Sequence, residues 1–309
     1  MALIVSASRS GPRPDSSISP SKPLRPLSVT TRRPSTSSPG SRRRVDLLTR
    51  SEGWIRIAEV NPPELPNQRH RSLSPVWTRV LVTDNVFGRI RVSPYAFSAR
   101  ITHDTPDVRP TVVVSTRDRN ILAIESEVRG ALGNGVDSFL VVVGDTVPHI
   151  DHLAHHHEIV DHLTNLQKDL PDFEVGMPTR FKEWQFRRRI DLGTQFFVAG
   201  PVIDPDVVEQ QISQLNLRDQ DPPVFLMVIP PFSIDWIDRM ESIGAVPVGD
   251  RLKQRLDHLS PDVRRKTAWQ ITSEMERRAR DAGCAGVILM GLKFDSVVEE
   301  APGAWPILD

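Results

Sequence analysis

The stretch Thr111–Asp145, TVVVSTRDRNILAIESEVRGALGNGVDSFLVVVGD, decides the fold. Thr111–Ser115 is a short β-branched run, followed by the polar turn Thr116–Asn120. Ile121, Ile124, Val128 and Leu132 then recur at helical spacing until Gly133-Asn134-Gly135 stops the pattern. Ser138–Val143 is a second apolar strand, ending in Gly144-Asp145. Two buried strands joined by one amphipathic helix predict a right-handed βαβ unit in a parallel sheet. Polar residues just past the carboxyl ends of such strands are where α/β proteins place their chemistry.

The same alternation extends outward in both directions. Upstream, Trp54–Val60 and Arg79–Thr83 have strand character, the first stopped by Asn61-Pro62-Pro63 because proline cannot continue a ladder. Downstream, Phe173–Met177, Thr194–Val198, Val224–Ile229 and Ala285–Met290 complete a set of eight. Helical patterns over Ser93–Ile101, His152–Leu166, Phe181–Ile190, Pro205–Gln214, Ile234–Ile243 and Pro261–Ala282 separate most of them. Eight strands alternating with helices over ~250 residues predict a (β/α)8 TIM barrel, domain 51–309. A doubly wound open sheet competes, but no GxGxxG follows the first strand.

Residues 1–50 differ in kind. They hold twelve Ser and seven Pro, with ten Lys/Arg against two acids, so the segment carries +8 and the remaining chain −8. Such a composition buries too little apolar surface to offset chain entropy, and a disordered tail is predicted there. Its Arg- and Ser-rich, acid-poor character also fits an organelle transit peptide, against the plainer reading of an extension without function. The acidic balance of residues 51–309 argues against nucleic acid as partner. No apolar run approaches the ~20 residues of a membrane span. The single Cys284 excludes an intrachain disulfide and favours a reducing, cytoplasmic setting.

In a barrel the strand ends converge, so Glu59, Thr83, Asp84, Arg117, Asp118, Asp145 and Arg180 are predicted around one mouth. Acids facing arginines suit proton-assisted chemistry on an anionic ligand. Glu59 is the sharpest candidate, because an unpaired carboxylate inside an apolar strand is costly. Burial would raise its pKa and make it a general acid; a structural pairing with an arginine such as Arg117 is the alternative. Arg187-Arg188-Arg189 is either a solvated helix face or a phosphate-binding set. Six histidines between His149 and His162 include one-turn pairs at metal-ligand spacing, but HExxH is missing and a solvated helix start accounts for them. No metal site is assigned.

These stretches together resemble the methylenetetrahydrofolate reductase family, a flavin-using (β/α)8 barrel. The resemblance rests on Ala58–Pro63 (AEVNPP), Val82–Asn85 (VTDN), Ser115–Asn120 through Gly144-Asp145, Phe186–Gly193 (FRRRIDLG) and Pro201–Asp204. The sequence departs from the family at Ala199-Gly200, where Thr-Gln is usual, and at Val113, where many members have His. The resemblance implies a reductase of 5,10-methylenetetrahydrofolate, with FAD as cofactor and NADH or NADPH as reductant. It places the general acid on Glu59 and a second catalytic carboxylate on Asp145. It places cofactor contacts on Thr83, Arg117, Arg188 and Arg189. A non-reductase folate or one-carbon methyl-transfer enzyme, a catalytically silent regulatory barrel, and a homo-oligomeric state stay open.

Overall fold

Strands that are apolar on both faces need cover on both sides, and a closed barrel inside a ring of helices supplies it. A computed structural model of the chain describes residues 47–50, 53–65, 77–117, 119–145, 156–170, 172–242 and 246–291. Its strands are β1 Ile55–Val60, β2 Arg79–Val82, β3 Arg109–Ser115, β4 Ser138–Val142, β5 Glu174–Thr179, β6 Phe196–Val202, β7 Val224–Val228 and β8 Gly286–Leu289. They pair in parallel, each with the next, and β8 closes on β1. The predicted TIM barrel is therefore the fold.

Helices α1 Pro94–Asp104, α2 Ile121–Gly133, α3 His156–Leu166, α4 Glu183–Asp191 and α5 Val208–Ser213 alternate with β2 through β7. Three more, α6 Ile234–Ser242, α7 Asp250–Leu256 and α8 Pro261–Asp281, fill the long interval before β8. Residues 66–76, in the connection between β1 and β2, lie outside the described residues. So do 1–46, which hold most of the expected tail.

Local sequence sets the helix ends. Asn120 caps α2 by accepting the Ala123 N–H at 2.9 Å. Past its last turn Gly135 takes a left-handed φ of 82° and its N–H bonds the Leu132 carbonyl. Ile124, Val128 and Ala131 form the buried face of that helix against the sheet.

Strand parity divides the core in two. Ile57, Leu81, Leu140, Phe196, Phe225 and Ile288 fill the barrel interior, while Ala58, Val82, Val112, Val141 and Val175 pack outward under the helices. Each buried aliphatic or Phe side chain contributes ~1.5–3 kcal/mol. Closure leaves no room at one position: a Cβ on Gly286 would sit 2.2 Å from the Ile55 carbonyl oxygen, so β8 meets β1 through glycine.

The floor of the barrel is polar and plugged from below. Arg79, Thr111, Ser138 and Glu174 are buried there, with Thr111 donating to Ser138 at 3.1 Å. A short 3₁₀ turn, Leu48–Arg50, brings Leu48 into the inner core. Glu174 accepts the Leu48 N–H at 2.8 Å and the Thr49 N–H at 3.1 Å. Burial raises the Glu174 pKa, and these two donors oppose the rise. The barrel thus begins before residue 51.

Candidate functional site

Parity also selects what reaches the mouth. On β1 the interior positions are Ile55 and Ile57, so Glu59, two residues on, points into the top of the barrel. It is only 5 % exposed. Among the described residues no donor or cation contacts it. Burial alone pushes its pKa up to about 7. The arginine partner required by the structural reading of Glu59 is absent among the described residues.

The rim around Glu59 is held by its own hydrogen bonds. Thr83, one layer above on the neighbouring strand, donates to Asn61 Oδ1 at 2.6 Å. Asp84 is clamped by Arg119, with Nη1 at 2.7 Å and Nη2 at 3.3 Å, and it accepts the Ser115 N–H at 3.3 Å. Burial raises the Asp84 pKa, while Arg119 and the Ser115 N–H pull against it. Arg119 also lies over the Tyr95 ring, 5.6 Å from its centroid. Asp84 is thereby a structural carboxylate joining β2 to the β3–α2 turn.

Arginines without carboxylate partners gather on the side of β3 to β5. Arg117 lies two residues past β3 and, among the described residues, makes only a long 3.5 Å contact to the Gly144 carbonyl. Arg180 ends β5, exposed and unpartnered among the described residues. Arg189, buried on α4, donates to the Pro178 carbonyl. Burial lowers its pKa, and the charge of Arg180 lowers it further. Across the mouth, Ile229, Pro230, Phe232, Trp236 and Met290 line an apolar cavity of about 240 Å³ between β7, β8 and α6.

Other predicted residues are placed differently. Asp145 is exposed and accepts the Phe87 N–H at 2.6 Å, so it ties the β2–α1 loop and makes no bond with Glu59. The arginine run is split. Arg187 is paired with Asp221, Arg188 is exposed, and Arg189 is buried against β5. All three lie in the second half of α4, and among them Arg189 alone reaches back to the carboxyl end of β5. They form no convergent phosphate cradle, and the residues present do not fit the implied flavin's phosphate end. Val113 is inside the barrel, among the apolar side chains of its interior. Of the histidines, His162 pairs with Glu125 at 2.7 Å, and no group of three metal ligands forms among the described residues. Asp118, His149, His152 and His155 fall outside the described residues.

Two features of the site carry little or no sequence signal. Arg119 reaches Asp84 over a separation of 35 residues. Phe87 has a left-handed φ of 57°, marked in sequence only by the turn formers Asn85 and Gly88 around it.

No protein-family model and no curated protein matches the chain. Solved structures of similar fold include oxaloacetate acetylhydrolase, with TM-score 0.47 and 10% identity over 78% of this chain and 77% of that one. They include 2,3-dimethylmalate lyase of the PEP mutase/isocitrate lyase superfamily, with TM-score 0.45 and 13% identity over 77% and 75%. They also include a designed cube-shaped protein cage, with TM-score 0.45 and 12% identity over 82% and 70%. These likenesses are of the fold. The reductase resemblance finds no counterpart among them, and the neighbours are named for acetylhydrolase and lyase chemistry. The expectations that hung on it are corrected: methylenetetrahydrofolate reduction, FAD, NADH or NADPH, and a folate substrate are not upheld. Among the described residues no helix is long and apolar enough to cross a membrane.

Proposed function

We propose that the protein is a non-reductase enzyme that moves a proton to or from an anionic small molecule held in the barrel mouth. The observation that carries this reading is Glu59, a buried carboxyl near the top of the barrel, unpartnered among the described residues, with a pKa pushed up to about 7. A side chain half protonated at neutral pH donates and accepts with little cost, the condition for general acid–base catalysis. An idle carboxyl in this place only destabilises the barrel, so its presence supports a catalytic role.

Arg117 and Arg180 supply the anion-recognising side. Arg117 follows β3, two strands from β1, Arg180 follows β5 on the far side of the barrel, and neither has a carboxylate partner among the described residues. A carboxylate or phosphate set against them leaves the rest of the substrate over the barrel axis, within reach of Glu59. Guanidinium groups bind such anions in two-point geometry. Thr83, its proton committed to Asn61, is left with acceptor capacity at the same rim. Arg188, exposed on α4, has no part in this site.

The test is proton exchange. Small dicarboxylates, 2-oxo acids and phosphate esters are incubated with the protein in D₂O and their C–H signals followed by NMR. Exchange is expected for at least one class, reduced by about 10²–10⁴-fold in Glu59→Gln. Exchange that survives unchanged in that variant overturns the assignment.

A further inference from the structure

Phe87 meets two unfavourable conditions at once. Its backbone is left-handed, at φ 57° and ψ 27°, a region that bulky side chains rarely enter. Its ring is 54% exposed, so burial does not offset that strain. Glycine or asparagine at this position would fold with less strain. A local conflict without local compensation is the mark of a position shaped by function.

The loop around it is held from outside. Asn85 Oδ1 accepts the Arg91 N–H at 2.9 Å and Arg91 Nη1 donates to the Pro62 carbonyl at 2.9 Å, which fixes the loop ends. At the apex the Phe87 N–H donates to Asp145 Oδ2 at 2.6 Å. Phe87 follows β2 and Asp145 follows β4, so this bond carries the loop across the carboxyl end of β3, beside Arg117. The setting is apolar as well as cationic. Among the described residues the exposed apolar side chains Ile90, Leu122, Val143 and Trp184 follow the carboxyl ends of β2, β3, β4 and β5. Exposed apolar surface concentrated on one face marks a recognition surface.

We propose that Phe87 is the specificity-determining contact for an aromatic or unsaturated portion of an anionic substrate, and that Asp145 is a positioning residue that holds it over the mouth. This rests on the anion-binding mouth described above and narrows the substrate class to planar, amphipathic acids. The ring face offers stacking while Arg117, at the end of the strand the loop crosses, takes the charge.

Anilinonaphthalene sulfonate, an aromatic anion whose fluorescence rises in apolar sites, is the probe. Saturable binding to the intact wild-type chain is expected, weakened about tenfold in Phe87→Gly and retained in Phe87→Tyr. Phe87→Gly should melt no lower than wild type, because glycine relieves the backbone. Asp145→Ala should lose the same affinity and Asp145→Asn, whose amide oxygen still accepts the N–H, should restore it. In a Phe87→Gly background Asp145→Ala should change nothing further. Absence of saturable binding to wild type, unchanged affinity in Phe87→Gly, or additive losses in the double variant would overturn the proposal. The readout needs no turnover, so its failure is distinct from failure of the proton-transfer reading, which deuterium exchange decides.

Discussion

Replacing Glu59 by glutamine should make the barrel more stable at alkaline pH and leave it nearly unchanged at acid pH. The folded-state pKa lies at about 7, above the ordinary 4.5. Between those values the folded chain holds a proton that the unfolded chain has released, so wild-type stability falls as pH rises through this window. One pKa unit is ~1.4 kcal/mol, so the full loss, complete above pH 7, is about 3 kcal/mol. Glutamine has the same shape and no charge to desolvate. Its stability curve should lack this fall, and the two proteins should diverge from pH 5 to pH 8. For a domain of this size, 1 kcal/mol moves the melting temperature by roughly 2–4 °C, so a gap of roughly 6–12 °C is expected at pH 8. Thermal melts of both proteins at half-unit pH steps would measure it. Parallel curves would refute the reasoning, since they would mean that Glu59 ionises in the folded state as it does in water. A variant less stable at every pH would instead show that the carboxyl has a partner. A stabilised variant with lost proton exchange would be the usual conflict between activity and stability at a catalytic group.

Two further predictions concern the frame of the site. A chain starting at residue 51 should be less stable than one starting at Leu47 by about 3–5 kcal/mol, combining the loss of one buried leucine with two N–H donors to Glu174; equal urea midpoints would show that the plug is dispensable. Arg119→Ala strands the Asp84 carboxylate, whose side chain is 1% exposed, and should cost about 3–5 kcal/mol in denaturant unfolding; a loss under about 1 kcal/mol would mean that Asp84 is solvated or protonated in the variant.

The barrel was legible in the sequence because both of its determinants are local. Runs such as Thr111–Ser115 and Val224–Val228 are apolar on both faces, and of the helical series Ile121, Ile124, Val128 and Leu132, Ile124 and Val128 are fully buried against the sheet. Period and run length alone separate strand from helix, and their alternation leaves few topologies. Glu59 was legible for a related reason: a carboxylate in an apolar strand stands out by residue type. What made it a candidate acid was not legible. Only the closed sheet turns its side chain inward and leaves it without a cation among the described residues.

Asp145 and the arginine run show where local reading ends. Both sit at positions where a site was expected, yet Asp145 reaches a backbone N–H that lies 58 residues away, and Arg187 is neutralised by Asp221 across the α4 packing surface. Motif-like strings around them suggested a flavin reductase, but a string records neighbours in sequence, and a cradle depends on which side chains converge in space. The same limit hid the plug: Leu48 lies in a stretch whose composition indicates a tail, and only the barrel's open floor and the carboxylate of Glu174 give it a place. Periodicity along the chain determined the elements and their order. Burial, convergence at the mouth and the fate of each charge belong to contacts between distant residues, and these the tertiary structure alone decided.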